Sequence, residues 1–312
     1  MTKRETVRSA IAHQETEKVP YFINFTRDAL PIIREQYDGE DLSIDIGNYV
    51  HWVSPPWWRW HAIPDGYRGY DNPGYLPKTR GIGSYTKFEE DLAKLKEETG
   101  CYILVMIYGS HFEKANAARG IEYFLADLGG DKEFSRKMLG KIIDKNMVML
   151  ENIVGFSEID GILLGSDWGS QQALLMSPDC WRDLIAPGEQ REYDLIKGEG
   201  KDIWIHSCGN IEAIIGDLIE MGVDVLNPVQ PECMDIYKLK DSYGDRITFW
   251  GGISTQKTLP YGNPNEVRAE VAHVVEYMGS GGGYITSPAQ EIQNDVPLNN
   301  MLALIDAAKQ FG

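Results

Sequence analysis

The chain has 312 residues, 43% of them hydrophobic and 25% charged, a globular composition with enough apolar material for a sizeable core. Thirty lysines and arginines against 47 aspartates and glutamates leave a net charge of −17, which repels nucleic-acid phosphates and anionic lipid and argues against both as partners. No apolar run approaches the roughly 18 residues needed to span a bilayer, the opening MTKRE lacks a secretory pattern, and Cys101, Cys180, Cys208 and Cys233 are too scattered for a disulfide framework, so a reduced, cytoplasmic setting is expected.

In chain order, a helix is predicted over 3–13 and a first strand over 19–25 (VPYFINF). An irregular stretch, 44–85, follows. It holds Trp52, Trp57, Trp58 and Trp60, then Tyr67, Tyr70, Tyr75 and Tyr85. Two readings stand side by side: a cap offering flat faces to an aromatic or macrocyclic ligand, and a packing or oligomer contact. The mixed charges from Glu89 to Glu98 fit an exposed helix face.

Further strands are predicted at 103–109, 159–166, 202–208, 223–228, 247–252 and 282–287, with helices at 134–150, 211–221, 267–278 and 299–311. The glycines of GSGGG, 279–283, precede the last strand and read as a tight turn rather than a phosphate loop. Buried strands alternating with helices imply a parallel sheet. Seven strands are clear, and an eighth is expected within 44–85. No glycine-rich dinucleotide fingerprint follows the first strand, so the expected fold is an α/β single-domain (β/α)8 TIM barrel over 1–312, with 44–85 as an aromatic-rich cap.

In such a barrel the chemistry sits at the C-terminal strand ends. Residues two apart share a face, so His206 and Cys208 in IHSCGN would point together into the mouth. Imidazole and thiolate are half of a zinc site, while a hydrogen-bonded buried histidine beside an inert cysteine is the plainer alternative. Cys233, Asp167, His111, Gln290 and Glu291 also follow strands and are candidates for a third ligand, none forced by spacing. Asp167 suits a general base, a partner to a metal-bound histidine, or a helix cap. The amides Asn227 and Gln230 suit either a ligand or loop backbone.

The motifs GSDWGSQ, IHSCGN, NPVQ, WGGISTQ, GGGYITSP and IQNDVPLNN, with the earlier ANAARGIEYFLADL, together resemble the uroporphyrinogen decarboxylase-like superfamily over roughly 1–312. That resemblance implies a (β/α)8 barrel and one of two chemistries: cofactor-free decarboxylation, or zinc- and corrinoid-dependent methyl transfer. The decarboxylases carry an arginine-rich R-Q-A-G-R motif after the first strand. Here the stretch reads INFTRDALP, where Arg27 is the one cation and Asp28 adds a repelling charge. The methyltransferases resemble this chain at the H-x-C pair of His206 and Cys208, but their third ligand is a cysteine where this chain has Gln290 followed by Glu291.

The resemblance therefore implies a corrinoid-linked methyltransferase with zinc held by His206, Cys208 and Gln290, and with Asp167 and Glu291 as catalytic groups. Substrate contacts are expected at Asn24, Arg27, Trp58, Gln171, Asn227 and Gln230. No D-x-H-x-x-G corrinoid motif is present, so methylcobalamin would arrive on a partner protein. Oligomer formation is compatible with this reading. The alternatives are a metal-free decarboxylase of another carboxylated substrate, using Asp167 and Arg27, and a barrel that only docks a partner.

Overall fold

The computed structural model describes residues 1–55 and 85–312. Its centre is a parallel sheet of seven strands hydrogen-bonded in chain order: β1 (Val50–Val53), β2 (Tyr102–Tyr108), β3 (Gly161–Gly165), β4 (Asp202–His206), β5 (Val225–Asn227), β6 (Thr248–Ile253) and β7 (Tyr284–Pro288). β3, β5, β6 and β7 are buried along their whole length, as expected of parallel strands covered on both faces.

Side chains alternate along each strand. Tyr102, Leu104, Leu163, Trp204, Val225, Trp250 and Ile285 form one cluster with Phe22, whereas Ile103, Val105, Ile162, Ile203, Leu226 and Phe249 belong to a larger core shared with the helices. In the first cluster the Trp52 ring of β1 lies 5.8 Å from Trp250 of β6, and Trp204 of β4 lies 5.1 Å from the same ring. These strands are not sheet neighbours, so the sheet curls around its aromatic filling. Large and small residues alternate inside it: a Cβ at Gly161 would sit 2.5 Å from the Tyr102 hydroxyl and 2.8 Å from Trp204 Nε1.

The expected first strand, 19–25, is not a regular strand. Its Phe22 N–H donates to Thr286 O (2.9 Å) and its Pro20 O accepts from Thr286 N (2.8 Å) on the β7 side. On the β1 side, Tyr49 N donates to Tyr21 O (3.0 Å). Next to that bond the buried Asn48 side chain takes both the N–H and the C=O of Ile23, each at 2.9 Å. A side-chain amide thus replaces the strand ladder, and only isolated bridges at Tyr21 and Phe25 remain. The segment nevertheless borders both edge strands of the sheet. The strand expected within 44–85 is β1.

Helices clothe the outside. Asn263 and Glu266 form a capping box ahead of Pro264–Gly279, and Leu298–Phe311 packs beside it. The turn before β7 carries positive φ at Gly281, Gly282 and Gly283, and a Cβ at Gly282 would meet Gln14 N at 2.6 Å. The tight-turn reading of GSGGG therefore holds. The helices expected at 3–13, 134–150, 267–278 and 299–311 are found as Lys3–Ile11, Lys132–Glu151, Pro264–Gly279 and Leu298–Phe311. Among the described residues no helix is long and apolar enough to cross a membrane.

Candidate functional site

His206 is the last residue of β4, and the chain then turns sharply through Ser207 to Gly209. Gly209 has φ +80°, and a Cβ there would lie 2.5 Å from Ser170 O in the loop after β3. Reciprocally, a Cβ at Gly169 would lie 2.6 Å from Cys208 O. Only glycine at both positions lets the two loops cross this closely, and Asn210 N donates to Ser170 O (2.7 Å) at the crossing. That crossing brings Asp167 to Cys208: Asp167 Oδ1 accepts the Cys208 backbone N–H at 2.9 Å.

Three donor atoms converge there. Cys208 Sγ lies 3.2 Å from His206 Nε2, and Asp167 Oδ1 lies 3.7 Å from the same nitrogen. On its other side, His206 Nδ1 faces Asn227 Oδ1 at 2.5 Å, while Asn227 Nδ2 donates to Trp250 O (3.1 Å). The anchored amide presents only an oxygen to the ring, so Nδ1 carries the proton and Nε2 turns its lone pair toward Cys208 and Asp167. Burial, reinforced by the Asp167 carboxylate, pushes the Cys208 thiol up to about 12.

Ligands of a tetrahedral zinc stand roughly 3.3–3.6 Å apart, and the two spacings measured from His206 Nε2 bracket that range. His206, Cys208 and Asp167 thus stand close to ligand spacing, one pair slightly short of it and the other slightly beyond. Gln290 approaches the same sulfur from the end of β7, its Nε2 2.7 Å from Cys208 Sγ. Glu291 beside it is engaged by Asn24 Nδ2 at 2.7 Å. His206, Gln290, Glu291 and Asn24 line one cleft, floored by Phe22, Trp52 and Trp250.

Other expected positions fall differently. Gln230 is buried, and its Oε1 accepts Gly209 N at 2.6 Å, which is the loop-supporting alternative. Cys233 donates to Gln171 Oε1 at 3.3 Å, and neither side chain lines the cleft. Arg27 is exposed and does not line the cleft. Asp167 caps no helix, since the following one begins behind Ser177. His111 is buried in a separate cluster: Ser110 Oγ lies 2.8 Å from Glu189 and 3.0 Å from Glu192, and His111 Nε2 lies 3.1 Å from Ile185 O. Trp52, read as part of the cap, belongs to β1, whereas Trp57, Trp58, Trp60, Tyr67, Tyr70 and Tyr75 lie outside the described residues.

The family model described as uroporphyrinogen decarboxylase (URO-D) matches residues 95–311, more than half of the chain. The chain belongs to the uroporphyrinogen decarboxylase family. It is 29% identical over 137 residues to the methylcobamide:CoM methyltransferase MtaA of Methanosarcina barkeri, covering 44% of this chain and 38% of that protein. It is 23% identical over 184 residues to the uroporphyrinogen decarboxylase of Chlorobium limicola, covering 58% and 50%. The chain thus spans half or less of the length of these relatives. Among solved structures, a methyltransferase from Methanosarcina mazei superposes with a TM-score of 0.72 at 18% identity, over 100% of this chain and 99% of that one. This likeness shows a shared fold.

Two features of this family member were not read from its sequence. Glu113, in the first turn of the helix after β2, accepts the Asp167 backbone N–H at 3.1 Å, and burial raises its carboxyl. Its place shortly after β2 is the signal that could have found it. Phe22 lines the cleft beside the expected Asn24, and their two-residue spacing within VPYFINF carries that information.

Proposed function

We propose that this chain is a methyltransferase that moves a methyl group between a small substrate and a cobalamin-bearing partner protein, with zinc held by His206, Cys208 and Asp167. The reading includes a single-domain (β/α)8 barrel closed by residues 20–25, and a cytoplasmic setting. The convergence of imidazole, sulfur and carboxylate from neighbouring strand ends carries it. Similarity to a methylcobamide:CoM methyltransferase supports it as well.

Bound there, zinc would supply Lewis acidity, lowering the pKa of an acceptor thiol or polarising a methyl-bearing atom. The chain's own groups set the stage. Asn227 fixes the His206 tautomer and ring orientation, as outer partners of metal-bound histidines do. Asp167 ties down the Cys208 backbone while offering its carboxylate. Gln290 points an N–H at the Cys208 sulfur and tempers its charge. Phe22, Trp52 and Trp250 keep the floor dry, which strengthens every charge interaction above it.

The decarboxylase alternative needs cations for carboxylate arms. Among the described residues lining the cleft none is lysine or arginine, so methyl transfer is preferred. The test is elemental analysis of the purified chain joined to a methyl-transfer assay with methylcobalamin and a thiol. About one zinc per chain, with both zinc and transfer lost in His206→Ala and Cys208→Ser, is expected. Transfer that survives chelation and both substitutions would refute the zinc reading.

A further inference from the structure

Among the described residues the charge around the cleft runs one way. Glu291 stands on its rim, Asp167 sits among the three converging donors, and Glu113 lies directly behind Asp167. No described lining residue is cationic, and the whole chain carries −17. A divalent ion held by the Cys208 thiolate and the Asp167 carboxylate has its charge already balanced. A substrate thiolate arriving there brings the centre to a net negative charge, and a second anionic group on the same molecule would be repelled. A cationic group would be drawn in, with the Glu291 carboxylate and the Trp52 ring both at hand.

We propose, building on the methyl-transfer reading, that the acceptor is a small aminothiol, its sulfur directed to His206, Cys208 and Asp167 and its ammonium to Glu291 and the aromatic floor. The printed name of the Methanosarcina barkeri relative specifies coenzyme M, an anionic thiol; this cleft selects the opposite charge. In the transfer, the S–CH3 bond forms as the Co–CH3 bond of the partner's methylcorrinoid breaks. The breaking bond's electron pair stays on cobalt, which goes from Co(III) to Co(I), and the thiol proton is released, leaving a thioether.

Three two-carbon thiols differing in charge test this: cysteamine, 2-mercaptoethanol and 2-mercaptoethanesulfonate. Their binding to the zinc-loaded chain is measured by calorimetry and tryptophan fluorescence, without any corrinoid, and their methylation by methylcobalamin is measured separately. Cysteamine is expected to bind about tenfold tighter than the sulfonate, with the gap narrowing in Glu291→Gln and in Trp52→Leu while zinc content is unchanged. Equal binding of the three, or preference for the sulfonate, overturns the inference even where methyl transfer is observed. Cation-selective binding with no methylation of any thiol keeps the charge selection and overturns the methyl-transfer reading instead.

Discussion

Asn227 holds His206 by its Nδ1 at 2.5 Å while its own amide nitrogen is tied to the Trp250 carbonyl at 3.1 Å, so a residue on β5 dictates which nitrogen of a β4 histidine is available to the cleft. Replacing it by alanine removes the acceptor and frees the ring to rotate or change tautomer. Asn227→Ala is expected to weaken zinc binding about 10–100-fold with the fold retained. Competition against a chromophoric chelator measures this; an unchanged affinity would show that the ring is oriented by other contacts.

Gln290 stands beside Cys208 Sγ, 2.7 Å away, at or near the place where the resemblance to the methyltransferases implies a cysteine ligand. A thiolate is a far better zinc ligand than an amide. Gln290→Cys is therefore expected to tighten zinc binding at least about tenfold, read by the same competition. A weaker or unchanged affinity would place that side chain outside bonding range of the ion.

Glu113 tests the support behind Asp167. Glutamine keeps a side-chain oxygen for the Asp167 N–H, whereas leucine leaves that donor unpaired at a cost of about 1–3 kcal/mol. Glu113→Gln should be close to silent in zinc affinity, and Glu113→Leu should lower both affinity and melting temperature. Equal loss in the two variants would point to the charge of Glu113 rather than its hydrogen bond.

The buried cluster beneath the helix His111–Arg119 predicts how stability changes with pH. Burial, aided by the neighbouring Glu189 charge, raises Glu192 to about 7. Burial opposes charge on His111, but its bonds to Glu189 outweigh this and raise it too. A carboxyl raised in the fold contributes fully below its unfolded value, near 4.5, and that contribution is lost as pH climbs to about 7. His111 acts in the same sense, whereas Lys114, lowered by burial to about 8, restores stability only above that pH. Urea unfolding at pH 5 and pH 7.5 should show a fall on the order of 2 kcal/mol, flattened in Glu192→Gln. A steeper fall in the variant would contradict it.

The inner filling makes a stability prediction of its own. Gly161→Ala drives a methyl toward the Tyr102 hydroxyl and Trp204 Nε1, and such overpacking costs typically about 1–3 kcal/mol. Thermal unfolding checks it, and a melting temperature equal to wild type would mean the two rings give way freely.

Much of this arrangement could be read from the sequence because strand periodicity is a local signal. His206 and Cys208 share a side of the chain end for the same reason that Trp204 points inward below them. Asp167 was placed at a strand end, but its role as anchor for Cys208 depends on the Gly169–Gly209 crossing, a contact between distant segments that no local pattern encodes. The strand expected at 19–25 failed for a similar reason: its apolar run is strand-like, yet the partner offered to Ile23 is the side chain of Asn48, 25 residues away. Gln230 and Asn227 look equivalent in NPVQ. One turned to its loop and the other to His206, because Gly209 N and the imidazole compete for amide oxygens that only the folded chain supplies.

Asn48 imitates a missing peptide group, and Phe22 and Asn24 flank the residue it holds. The joint beside the sheet's two edge strands is thus made from the same few residues as the wall of the cleft. Loosening it by one amide would disturb Phe22 and Asn24 together, so the seam beside the sheet's edge strands and the wall of the cleft depend on one buried side chain that does not itself line the cleft.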